Sequence, residues 1–143
     1  MSYMRSYLSG AGLSLFFANL FFFIFSLSHT IDFSDLRKSG FDAVILFISL
    51  FNYLCCIFGW LLLTILQKSR IKSWLICTFF FIVLGSIFGA VLYTLYPEAI
   101  ILPFITIFGS IMFFVAQFKN TKLISTLLSL SGPIFTILLL IIV

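Results

Sequence analysis

The sequence predicts an all-α polytopic membrane protein: a bundle of five transmembrane helices, N-terminus cytoplasmic and C-terminus outside. Three observations carry that prediction. First, 63% of the 143 residues are hydrophobic and only 8% are charged, against about 45–50% and about 25% in soluble domains. Second, the charges cluster, and the clusters cut the chain into five blocks that hold no Asp, Glu, Lys, Arg or His: 8–28, 43–66, 75–96, 99–116 and 123–143. Third, a hydrocarbon core about 30 Å thick needs about 20 helical residues at 1.5 Å each, and the blocks have roughly that length. A water-soluble core of this size could not hide so much apolar surface. Soluble enzymes, nucleic-acid binders, disulfide-stapled secreted domains and disordered tails are excluded on the same ground. A β-barrel is excluded because its strands alternate apolar and polar over about 10 residues, whereas these blocks are uniformly apolar. The whole chain, 1–143, reads as a single transmembrane domain.

The first block, 8–28, could be compared with a cleavable signal peptide, since Arg5 precedes it and Ser26-Leu27-Ser28 ends it. It is long for that role, and Asn19 interrupts it, so it reads as a retained helix. Gly10, Ser14 and Ala18 place a small residue every fourth position along it. The loop that follows, His29 to Asp42, is the longest. Asp32 is placed to cap a short helix at about 33–39, Asp35 to sit in its first turn and Gly40 to end it. Phe33 and Leu36 share a face, so this helix is expected to lie on the outer surface with those two side chains dipped into the interface. His29 is the only histidine, and one imidazole beside scattered acids lacks a metal ligand set.

The second block, 43–66, carries Asn52, the vicinal pair Cys55–Cys56, and Gly59. The first loop is centred at 35.5, and Asn19 and Asn52 are symmetric about that point, as are Gly12 and Gly59. Each glycine lies seven residues from its asparagine, hence on the same helix face. The expectation is that helices one and two pack through this face. The two amides would bond to each other, because an unpaired amide in hydrocarbon is costly, and the glycines would let the backbones approach. Cys77 falls at a different depth from Cys55 and Cys56, so no disulfide is expected and the thiols read as small apolar groups.

Lys68, Arg70 and Lys72 alternate along the second loop and are candidates for contact with anionic lipid. The third block, 75–96, contains Gly85-Ser-Ile-Phe-Gly89, a GxxxG pattern that Ser86 and Ala90 extend. It suits either packing within the chain or an oligomer contact. The turn Tyr96-Pro97-Glu98 is so short that blocks three and four must form a tight hairpin. The fourth block is the shortest. The fifth, 123–143, has Gly132-Pro133 near its middle, where the missing amide and the clash with the Ser129 carbonyl predict a kink.

Orientation follows from Lys and Arg in short loops, which accumulate on the cytoplasmic side. Arg5, Lys68, Arg70, Lys72, Lys119 and Lys122 fall on one side; only Arg37 and Lys38 fall on the other. Trp74 on the basic side and Tyr93 and Tyr96 opposite suit interfacial anchors. The expected location is the cell membrane, in bacterial terms the inner membrane.

Absent chemistry narrows function further. Proton coupling, voltage sensing and intramembrane proteolysis need ionisable groups within the spans, and the blocks contain none. No GxSxG, HExxH, CxxC, P-loop or TVGYG pattern occurs. No enzyme activity, cofactor or metal is expected. The reading is a non-catalytic interaction protein, an accessory or immunity-type subunit whose partners are the bilayer and either another membrane protein or a second copy met through helix three. The alternative is a small oligomeric channel or carrier without ion-coupling residues, using Asn19, Asn52 and the Pro133 kink.

Overall fold

A computed structural model describes residues 3–29, 40–71, 73–97, 100–118 and 121–142. Among them the regular structure is helical throughout: α1 (Tyr3–His29), α2 (Phe41–Lys68), α3 (Trp74–Leu95), α4 (Ile101–Val115) and α5 (Lys122–Ile142). The five predicted blocks correspond to these five helices, with ends shifted by a few residues. The surface helix expected at 33–39, with Asp32, Asp35, Phe33 and Leu36, lies outside the described residues, as does Lys72.

Four helices, α1, α2, α3 and α5, are long and apolar enough to cross a membrane. The chain is a small multi-pass helical membrane protein. The fourth helix is shorter than the block 99–116 predicts. Its 15 residues reach roughly 22 Å, short of the ~30 Å core. It is wedged between α1 and α3, and it buries Leu102, Ile105, Gly109, Phe113 and Phe114.

α1 is the most buried of the long helices. It meets α5 most extensively, then α4, then α2, while α3 leans mainly on α4. Consecutive helices α2 and α3 scarcely touch, although only residues 69–73 join them. The chain alternates direction, so two ends are defined by packing. At one end Tyr7, Leu66, Cys77, Phe81 and Phe114 belong to one cluster, and Phe81 stacks on both Phe113 and Phe114. At the other end Phe41, Ile45 and Leu139 meet Phe22 and Phe23. Arg5, Lys68, Arg70 and Lys122 all belong to the first end and are exposed; Asp42 starts α2 at the second. Gly40, just before α2, has φ +75°. A side chain is rarely accommodated in that left-handed region, and the Gly40 carbonyl accepts the Ala43 and Val44 amides to start the helix.

Hydroxyls on the outward faces are satisfied locally. Thr64, Thr78, Ser86 and Thr126 each donate to the carbonyl four residues back, and Thr94 and Ser129 to the carbonyl three back. A helix can therefore turn Ser and Thr toward lipid without an unpaired donor.

Candidate functional site

The interior polar groups are hydroxyls and amides. Among the described residues Ser9, Ser14, Asn19, Ser125 and Thr136 are the buried polar ones, and no group of three or more His, Cys, Asp or Glu converges. Cys55, Cys56 and Cys77 are free thiols.

The expected bond between Asn19 and Asn52 is not formed. The Asn19 Nδ2 donates to the Thr136 hydroxyl of α5 at 2.8 Å. Thr136 in turn donates to the Gly132 carbonyl at 2.9 Å. Asn52 does meet α1, but higher up the chain than symmetry predicts: its Oδ1 accepts from Ser14 at 2.7 Å and its Nδ2 donates to the Ala11 carbonyl at 3.2 Å. The partner positions lie five to eight residues before Asn19. The symmetry argument placed both helix ends at equal depth about the loop midpoint. Packing of Phe22 and Phe23 on Phe41 sets the register instead.

The glycine pairing is corrected in the same way. Gly12 does not face Gly59. A β-carbon on Gly12 would overlap the Leu128 carbonyl oxygen and lie 2.7 Å from the Cα and carbonyl oxygen of Ser129, so Gly12 marks the crossing of α1 with α5. Gly132 completes that crossing: a β-carbon there would lie 2.5 Å from the Gly12 carbonyl oxygen and 2.9 Å from the Leu15 side chain. Gly59 instead lies against the Phe113 and Phe81 rings. Helix α5 continues through Pro133 without a break. Proline deprives the Ser129 carbonyl of its usual amide donor, and a β-carbon on Gly12 of α1 would lie 2.7 Å from that oxygen. Approach this close is what small residues permit where membrane helices cross. Pro133, expected to kink α5, thus follows directly on Gly132, which lies against Gly12 and Leu15 of α1.

The Asn19 Oδ1 is buried and has no hydrogen-bond partner among the described residues. Its amide is anchored by one bond alone, to Thr136. We expect Thr136→Val, which removes that acceptor and leaves both ends of the Asn19 amide unpaired, to cost about 1–2 kcal/mol. Equilibrium unfolding in mixed micelles checks this; a loss below the error of the measurement overturns it.

On α3, Gly85 and Gly89 face α4 rather than another chain. The Thr106 hydroxyl reaches the Gly85 carbonyl at 3.1 Å, and the Ser110 hydroxyl reaches the Phe81 carbonyl at 2.7 Å. These cross-helix bonds were not anticipated from the sequence, and neither was the cap at the basic end. There Gln117 exchanges bonds with Ser6 through its side chain and the Ser6 carbonyl. The signals were weak: Thr106 and Ser110 are spaced by four, as are Gly85 and Gly89, and each pair matches its partner's face.

Between α2 and α3 a cleft opens sideways. Its walls include Phe47, Phe51, Leu84 and Phe88, its floor includes Ser14, Asn52, Thr106 and Ser110, and its volume is about 50 Å³. At its lower end Gly59, Phe81 and Phe113 close it. No protein-family model, no curated protein and no solved structure matches the chain, so its reading rests on this geometry.

Proposed function

We propose that this chain is a non-catalytic interaction protein of the cell membrane, an accessory or immunity-type subunit that binds another membrane protein through its helices. One observation carries the reading. With Gly85 and Gly89 turned onto α4, helix α3 still presents a second line of small residues outward: Ser86, Ala90 and Thr94 are all exposed. Their hydroxyls fold back on their own helix, so the line is smooth and apolar in effect. Small residues at spacing four allow close approach of another helix, where van der Waals packing drives association in lipid. The exposed Lys68 and Arg70, with Lys72, are assigned to anionic lipid headgroups at the basic end.

The test is a photocrosslinking amino acid at Ala90, with Leu54 on the exposed face of α2 as the control position. The expected result in native membranes is a discrete protein adduct from position 90 and none from position 54. An adduct of doubled mass identifies a second copy as the partner. Absence of a discrete adduct at 90, or the same adducts at both, overturns the reading.

The second reading, a small channel or carrier, is favoured by one observation: polar side chains at mid-depth line the cleft between α2 and α3. Both readings share the proposed orientation, basic end cytoplasmic. Alkaline phosphatase fused after Val143 is expected to be active and the same enzyme fused at Ser69 inactive; the reverse pattern overturns the orientation.

A further inference from the structure

The polar inventory of the cleft points to a ligand. Asn52 lies 11 residues from the start of α2 and 16 from its end, so its amide sits about 16 Å and 24 Å from the two helix ends. A carboxamide offers two N–H donors and an oxygen with two lone pairs. Asn52 uses one donor on Ala11 and one lone pair on Ser14. One N–H and one lone pair are left on a half-buried side chain that lines the cleft. Thr106 and Ser110 donate their hydroxyl protons to backbone carbonyls of α3 and α4, so they offer only lone pairs. The floor therefore presents one donor and several acceptors, all uncharged.

The walls and dimensions select the rest of the molecule. Phe88 meets Phe51 at 6.2 Å and Phe58 at 5.4 Å, so these rings form one aromatic wall. A cavity of about 50 Å³ holds a small polar group rather than a whole chain, and it excludes a helix, which is about 10 Å across. Among the described residues no carboxylate, amine, guanidinium or imidazole lines it, so an ionised headgroup would be buried there without a counter-charge, at prohibitive cost. A phospholipid headgroup is held at the surface and does not reach Asn52. A hydroxyl or a carbonyl does, because its transfer cost is offset by the bond it makes.

We propose that the cleft between α2 and α3 binds a neutral amphiphile, a single alkyl or isoprenoid chain bearing one hydroxyl or carbonyl group, with that group on the Asn52 amide and the chain running out along the rim that Phe47, Phe51, Leu84 and Phe88 form. The proposal is independent of the partner helix assigned to the Ser86–Ala90 face.

The test uses the full chain in nanodiscs with a photoreactive sixteen-carbon alcohol, its adducts mapped by peptide mass spectrometry. Adducts are expected on residues 47–59 and 81–92. Unlabelled hexadecanol should compete about five- to tenfold better than hexadecane, the worth of one membrane hydrogen bond, and hexadecyl phosphate should compete no better than hexadecane. Asn52→Leu should erase the preference for the alcohol. Leu84→Trp, which fills the cleft and leaves Asn52 in place, should abolish the adduct and carries the test if Asn52→Leu fails to fold. Equal competition by all three compounds, adducts spread over the exposed faces of α2 and α3, or unchanged labelling of Leu84→Trp overturns the proposal.

Discussion

Gly12→Leu should lower the stability of the bundle by about 3 kcal/mol or more, the upper end of the cost of overpacking. The obstacle is backbone. A β-carbon at residue 12 meets the carbonyl oxygens of Leu128 and Ser129, and neither can rotate away as a side-chain end would. Helix α5 must retreat from α1, its most extensive partner. Retreat also stretches the Asn19–Thr136 bond, seven residues along α1 and four beyond Gly132, so packing and polar terms fail together. Gly12→Ala should already cost about 1–2 kcal/mol, since its gain in helix propensity of about 1 kcal/mol is smaller than the clash. Gly40→Ala is the control: none of the described residues lies within 4 Å of a β-carbon there, and the left-handed backbone supplies the penalty, about 1–2 kcal/mol. Reversible unfolding in mixed dodecyl sulfate micelles, followed by circular dichroism, ranks the three. Equal midpoints for Gly12→Leu and the parent chain would mean that α1 and α5 do not cross at Gly12.

That crossing shows which parts of the molecule could be read from the chain. Helix number and approximate ends were legible because apolar, charge-free runs are visible residue by residue; that the fourth helix falls short of spanning length was not. The importance of Gly12, Asn19, Asn52, Gly85, Gly89 and Gly132 was legible for a related reason: amides and glycines are rare in lipid-facing helix and earn their place through contacts. Their partners were not legible. Every face of these helices is apolar, so hydropathy does not distinguish the side facing protein from the side facing lipid. Chain symmetry then favoured sequential neighbours, α1 with α2. In the structure α1 pairs foremost with α5, at the far end of the chain, and α2 with α3 hardly at all. The cleft follows from that choice. Its lining draws on four helices, and no local pattern in the sequence announces it.

Gly85 and Gly89 give the second large effect, and comparing them separates the hairpin role of the GxxxG pattern from an oligomer role. A β-carbon on Gly85 would lie 2.6 Å from the Ile107 Cα and 3.0 Å from the Thr106 carbonyl oxygen, both backbone. On Gly89 it would lie 2.9 Å from the Thr106 hydroxyl and 3.0 Å from the Pro103 Cα, so part of that obstacle can move. Gly85→Val should therefore cost about 3 kcal/mol and Gly89→Val about 2 kcal/mol. The two penalties should not add. Once α4 has moved away from a substituted Gly85, the space opposite residue 89 has already opened, and the double variant should fall short of the sum by about 1 kcal/mol. A pattern used between chains behaves differently. There each substitution would leave the stability of the isolated chain unchanged and would instead weaken association in proportion to protein dilution. Unfolding midpoints measured over a hundredfold range of protein-to-detergent ratio decide between the two. Because Gly85 and Gly89 are buried against α4, the penalties should be independent of dilution. The Ser86–Ala90 face, one residue around the same helix, is left to respond to concentration.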